Sequence, residues 1–250
     1  MRQELGIRCL DVLGASAGLL LALPLLAVVA VFVRVSSPGP VFCRQVYAGV
    51  DRRRRQRRIM NLPLAADRRQ PEKRKKDLHG KPFTVYRFRT THCGAAREEL
   101  ATLPFASELY TTSIGRRLRG WRLDELPILW NVLRGEMSLV GPRPEPPGLT
   151  GKRANARIDY RKRQCVKPGL IGLAQLCASP GYTPAETARR IDLDLYYATH
   201  RDWRLYLRIL AAAACRVVGS DRHELLANTA NPLRLCRPQE SRQLVVEKKK

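Results

Sequence analysis

From Val12 to Val33 the chain runs for 22 residues without a charge. As a helix, such a run is long enough to cross a bilayer core of ~30 Å. Three arrangements compete. A cleaved signal peptide fits the basic start (Arg2, Arg8), but the run is long and has no clear A-x-A cleavage site. A spanning helix is physically allowed. A helix that enters and turns back is raised by Pro24, which removes one backbone donor and crowds the carbonyl of Leu20, so that a kink is expected there. Both flanks are basic, and the positive-inside rule is therefore compatible with both ends in the cytoplasm. Asp11 lies one turn after Arg8, and this pair belongs in the headgroup layer. The residues alone leave spanning and re-entrant forms open.

Lys and Arg number 46 against 22 acids, a formal net charge of +24. So basic a chain calls for polyanions: nucleic acid, anionic lipid or phosphorylated substrates. Much of the charge falls between Asp51 and Gly80, in Arg52–Arg55, Arg57, Arg58, Arg68, Arg69 and Lys73–Lys76. A solvated loop is one reading of this run. A polybasic patch on an anionic leaflet, at ~1 kcal/mol per basic residue near the surface, is another. An RNA-binding arm lacks the aromatic interleaving that base stacking needs. The seven cysteines and four histidines show no metal-ligand spacing, so a zinc site is not expected.

Asp124 and Glu125 stand where a helix should begin, and Leu126, Leu129, Trp130 and Leu133 then repeat at helical spacing. Arg134 and Gly135 read as its last turn and left-handed stop. With Asp124 as N-cap, Pro127 falls at the third helical position, where it supplies no N–H to a capping carboxylate. The helix dipole should then favour an ionised, incompletely occupied Asp124, a candidate nucleophile or metal ligand. Arg143, locked between Pro142 and Pro144, is a stiffly aimed guanidinium suited to phosphate. A capped surface helix followed by a proline-rich turn explains the same residues without chemistry.

Phe83–Thr90 alternates like a strand with cationic outer positions. Ala95–Leu103 and Ser107–Arg119 read as helical. Thr183-Pro184-Ala185-Glu186 is a capping box opening a helix to about Thr199. A further helix carries Trp203, Leu207, Leu210, Ala214 and Val217 on one face; interfacial and core-packed placements are both open. Beyond Gly219 the chain is polar.

The segment from Leu123 to Pro127 and from Trp130 to Glu145 closely resembles the signature of the bacterial sugar transferases, the monotopic phosphoglycosyl transferases that begin glycan assembly on a polyprenyl phosphate. Arg8, Asp11, Pro24 and Ser37-Pro38-Gly39-Pro40-Val41 match that family's re-entrant helix and its exit. Leu23 stands where family members often have Ser, and Tyr47 where they have Arg. The family's Lys-Phe-Arg-Thr segment is similar to Arg87–Thr90, and its Pro-Gly-x-x-Gly-x-Ala-Gln loop to Pro168–Gln175. Cys177-Ala178-Ser179 departs from the family's continuation.

The resemblance implies an α+β, mostly helical fold with a re-entrant N-terminal membrane helix, amphipathic interfacial helices and a few short strands. Residues 1–36 would form the membrane helix, 37–50 and 81–219 the catalytic domain, 51–80 a basic inserted loop and 220–250 a polar tail. It implies transfer of a sugar-1-phosphate from a nucleotide diphosphate sugar, a UDP-sugar foremost, to polyprenyl phosphate at the cytoplasmic face of the bacterial inner membrane. Asp124 would be the nucleophile and Glu125 the ligand of Mg²⁺. Arg119, Arg143, Arg87 and Arg89 would bind phosphates, and Gly169, Gly172 and Gln175 would line a substrate loop. Nucleic acid is not an expected partner, and a homo-oligomer is left open. A degenerate member, or a basic membrane-bound module binding RNA or anionic lipid, is the competing expectation.

Overall fold

The computed structural model describes residues 2–51, 80–92, 110–156, 158–177 and 183–217. The expected helix Ala95–Leu103, the basic insertion (except for its edges at Asp51 and Gly80) and the C-terminal tail lie outside these residues. The described chain is mostly helical with a few short strands, as expected. Helix α1 spans Arg2–Ser36, and its helical assignment continues across Pro24. Strands β1 (Phe42–Ala48) and β2 (Pro82–Phe88) pair antiparallel, Phe42 opposite Phe88 and Ala48 opposite Pro82. The chain leaves this strand pair at Gly49 and re-enters it at Lys81, side by side, which explains how the fold tolerates a long basic insertion between them. Gly49 N–H donates to Lys81 O at 3.0 Å and closes the hairpin at its base.

Helix α2 (Ser113–Gly120) is capped by Thr112, whose hydroxyl accepts from Gly115 N–H at 2.9 Å. A 3-10 helix (Leu123–Ile128) leads directly into α3 (Leu129–Leu133). The parallel pair β3 (Ser138–Val140) and β4 (Gly169–Ile171) follows, separated by α4 (Pro147–Ala156) and a second 3-10 helix (Ile158–Cys165). Helices α5 (Leu173–Cys177), α6 (Pro184–His200) and α7 (Trp203–Val217) complete the body. The capping box is present at the start of α6, with Thr183 and Glu186 exchanging bonds.

Helix α1 buries one stripe, Ile7, Asp11, Ala15, Ala22, Val29 and Val33, and exposes Leu13, Leu20, Leu21, Val31 and Phe32. Ile7 and Ala15 join the main core with Leu139, Leu129 and Ile209, whereas Val29 and Val33 pack with Phe88 and Leu118. Both ends of the helix thus rest on one body. Gly14 and Gly18 allow the close approach, since a methyl added at them would lie 2.7 Å from Leu139 and 3.2 Å from Leu129.

Arg8 and Asp11 were expected as a headgroup-level pair. Instead, Asp11 is buried and accepts from Ser138 Oγ, Leu139 N and Tyr206 Oη, each at 2.8 Å. Arg8 donates to the carbonyls of Val132 and Leu133, both at 2.6 Å, and so closes the C-terminal end of α3. Helix α7 buries Leu205, Tyr206, Ile209 and Ala212 while Trp203 and Leu207 remain exposed. The face read from the spacing is thus largely the exposed one, Ala214 included, and the helix packs through residues that the spacing did not single out.

Candidate active site

Asp124 is not an N-cap. Arg122 caps the 3-10 helix in the left-handed region, φ 57°, ψ 22°, and Asp124 sits within the helix. The buried face also differs from the periodicity: Ile128, Leu129, Asn131 and Val132 point inward, and Trp130 is 53% exposed. Pro127 tightens the first turns to 3-10 geometry, which rotates the apolar stripe relative to a continuous α-helix. Gly135, at φ +79°, is the left-handed stop that was expected.

The two adjacent carboxylates are both buried, yet they are held differently. Glu125 Oε1 accepts from Arg143 Nη2 at 2.5 Å and faces Arg87 Nη2 at 3.6 Å. Asp124 forms no ion pair among the described residues. Burial first, then the charge of Glu125, raises the pKa of Asp124, against the pull of Arg87 and Arg119. Burial acts in the same sense on Glu125, but Arg143, Arg87 and Arg122 together outweigh it and hold its carboxyl below the usual range. The ionising helix dipole expected at Asp124 is therefore overridden by desolvation, because a short 3-10 helix that starts before this residue offers it little open N-terminus. The two neighbouring carboxyls are thus pushed in opposite directions by their surroundings.

Each arginine has its own support. Arg87 lies with its guanidinium 5.7 Å from the centre of the Tyr47 ring, so the tyrosine standing where the family's turn has arginine braces a cation instead. Arg119 donates from Nε to Thr90 Oγ1 at 2.9 Å and from Nη1 to Thr111 Oγ1 at 3.1 Å. Arg143 is fixed through its backbone: its carbonyl accepts from Arg163 Nη2, and the preceding Pro142 carbonyl accepts from Gly169 N–H at 2.9 Å. Arg163 is itself buried and donates from Nε to Asp194 Oδ2 at 2.7 Å, while Tyr197 Oη donates to Val140 O at 3.1 Å. Asp194 and Tyr197 thus serve the structure. Arg163 carries no sequence signal, since nothing local marks an arginine that will meet an Asp from a distant helix.

Two expectations need correcting. Arg89 does not join the cluster: it is buried and donates to the carbonyls of Ser37 at 2.6 Å, Pro38 at 2.8 Å and Val33 at 3.2 Å, closing the end of α1. A strand points successive side chains to opposite faces, but Arg89 lies beyond the end of β2, where alternation with Arg87 no longer applies. Gly169 does not make room for a ligand either. A methyl there would lie 2.0 Å from Gly141 N, so the two glycines let β3 and β4 approach each other. Gln175 Oε1 accepts from Gly172 N–H at 2.7 Å and closes the start of α5. The loop Gly169, Gly172 and Gln175 is a brace behind Arg143.

Among the described residues no three His, Cys, Asp or Glu side chains gather as a metal cage. Mg²⁺ asks for less, one or two carboxylates with phosphate oxygens and water completing the shell. The Asp124–Glu125 pair fits such a shared site.

A family model described as bacterial sugar transferase matches residues 2–60 and 68–220. The chain is 34% identical over 211 residues to the UDP-glucose:undecaprenyl-phosphate glucose-1-phosphate transferase of Caulobacter vibrioides, covering 82% of this chain and 68% of that one. It is 32% identical to the protein of the same name from Klebsiella pneumoniae, over 79% of this chain and 36% of that one, and so spans about a third of that relative's length. With the exopolysaccharide production protein PSS of Rhizobium leguminosarum bv. phaseoli it shares 30% identity over 81% of this chain and 90% of that one. The match runs through α1, the carboxylate pair and the Arg143 segment alike, and on that breadth the chain belongs to the bacterial sugar transferase family.

Proposed function

We propose that the chain transfers a sugar-1-phosphate from a nucleotide diphosphate sugar, a UDP-sugar by the names of its relatives, to polyprenyl phosphate at a membrane surface. The carrying observation is the contrast between Asp124, buried with no ion pair among the described residues, and Glu125, clamped by Arg143 and flanked by Arg87. A carboxylate that is not engaged by a cation, yet has arginines within electrostatic reach, is a competent nucleophile toward phosphorus.

In the first step an Asp124 carboxylate oxygen bonds to the sugar-bearing phosphorus, and the bond from that phosphorus to the bridging oxygen breaks. The nucleoside monophosphate leaves with the electron pair. In the second, a phosphate oxygen of the lipid attacks the same phosphorus and Asp124 is released as carboxylate, so the sugar-1-phosphate ends on the lipid as a diphosphate. Arg87, Arg119 and Arg143 spread positive charge over the phosphoryl oxygens in both steps. Mg²⁺, held through Glu125, would neutralise phosphate charge when bound.

The exposed apolar face of α1, both of whose ends rest on one body, supports a helix that enters and leaves a bilayer by the same face. The exposed Trp121, Trp130 and Trp203 suit an interface between water and lipid. A cytoplasmic face of the inner membrane is the side on which nucleotide sugars are made, and is proposed here as the location. The test is radiolabelled transfer from a panel of UDP-sugars to undecaprenyl phosphate in membranes, with Mg²⁺ and with chelator. Label should enter the lipid fraction from one donor and stop with chelator; no label from any nucleotide sugar would sink the reading.

A further inference from the structure

A cavity of about 560 Å³ lies at the start of α1. It is lined by residues at the far end of the helical segment that carries Asp124: six 3-10 residues and five α-helical ones lie along that segment, roughly 15–20 Å of axis. Asp124, Glu125, Arg87 and Arg143 are not among its lining residues. Its walls carry the cations Arg8, Lys81, Arg134, Lys167 and Arg201 against the acids Glu4, Asp11 and Glu136.

Two of the three acids are committed elsewhere. Asp11 is occupied by Ser138, Leu139 and Tyr206, and Glu136 Oε2 accepts from Asn131 Nδ2 at 2.7 Å. The Lys167 ammonium makes no hydrogen bond or ion pair with the described residues. It nevertheless converges with Arg8: a methyl added at Gly135 would lie 3.3 Å from Arg8 Nη2 and 3.7 Å from Lys167 Nζ. Burial, then the nearby Arg8, pushes the Lys167 pKa down and together with Arg201 outweighs the pull of Asp11 and Glu4, so an added anion would relieve an excess of positive charge there. Arg8 spends N–H donors on two carbonyls, and a guanidinium has five.

Arg8 stands just before the uncharged run that begins at Val12, so the cavity lies at the polar entry of the apolar helix. Gly49, Val50 and Lys81, where the chain leaves and re-enters the β1–β2 pair around the basic insertion, line it as well. We propose that this cavity is a second anion site, in which the Lys167 ammonium and the Arg8 guanidinium hold a phosphate group, either of a phospholipid headgroup or free in solution. The proposal does not depend on the transfer reaction.

The test is calorimetric titration of the full-length protein in nonionic micelles with inorganic phosphate and, separately, with short-chain phosphatidic acid. Each titration is repeated in Arg143→Gln, so that binding at the Asp124 cluster is recognised and set aside. Binding should persist in that background, weaken about tenfold or more in Lys167→Gln, and be largely kept in Lys167→Arg. Lys81→Gln, at an exposed rim position where misfolding is not at issue, should weaken it less but in the same direction. Preference for phosphatidic acid assigns the site to a headgroup, and preference for inorganic phosphate to a soluble anion. Binding of neither probe, or binding untouched by both lysine substitutions, overturns the proposal.

Discussion

Arg143 Nη2 meets Glu125 Oε1 at 2.5 Å, bridging the proline-bound turn after β3 and the 3-10 helix before α3. That single contact separates two carboxylates adjacent in sequence into one held by a cation and one with no ion pair among the described residues. It also ties the site to its brace, because the same arginine's carbonyl is held by Arg163 and its preceding carbonyl by Gly169.

Asp124→Asn should abolish sugar-phosphate transfer while leaving membrane association intact. It should also raise the melting temperature at neutral pH. Asp124 has a folded-state pKa above its ordinary value, so ionisation there costs stability once the pH exceeds the folded pKa, and the cost disappears as pH falls toward 3.8. Removing the charge should therefore gain about 2 °C or more at pH 7 and nothing at low pH, read by thermal unfolding. Substantial residual turnover would remove Asp124 from the nucleophile role.

Glu125→Gln should do the opposite to stability. With its pKa held below 4.5, the ionised group stabilises the fold at pH values above its unfolded pKa, and that contribution is lost as pH falls through the folded pKa. The variant should be less stable by about 1–3 kcal/mol at neutral pH, converging with wild type in acid. Its activity should need more Mg²⁺; a normal response across a magnesium titration would count against metal binding at Glu125.

Arg87 and Arg89, two residues apart, should part company. Arg87→Gln should lower transfer at least tenfold with little change in melting temperature. Arg89→Gln should cost about 2–4 kcal/mol, because the buried guanidinium satisfies three carbonyls at the end of α1, and transfer should fall only as far as folded protein does. Equal kinetic defects at equal stability would contradict this division.

Gly169→Ala should be strongly destabilising, since its methyl would stand 2.0 Å from Gly141 N and force β3 and β4 apart. A loss of about 2 kcal/mol or more is expected in denaturant titration. A variant that stays fully stable and is impaired only in donor KM would return this loop to a ligand-binding role.

Asp11→Asn should loosen α1 from the body. Ser138, Leu139 and Tyr206 all donate to Oδ1, which the amide keeps only as a weaker, uncharged acceptor, at a cost of about 1–3 kcal/mol. Faster proteolysis within residues 2–36 in micelles is the measurement.

Local rules were enough for the apolar N-terminal helix, the capping box at Thr183, the left-handed stop at Gly135 and the proline-stiffened setting of Arg143. Each depends on spacing, a missing N–H or a positive φ within a few residues. The adjacency of Asp124 and Glu125 was equally plain in the chain, but their opposite electrostatics were not, because burial and the approach of Arg87, Arg119 and Arg143 come from other elements. For the same reason Arg89 and Arg87 looked alike, Asp11 looked like a headgroup-level charge, and Gly169 looked like part of a ligand loop. A residue's type and neighbours determine what it can do; which carbonyl, carboxylate or backbone it meets is decided only when segments more than a hundred residues apart, such as Asp11 and Ser138, pack together.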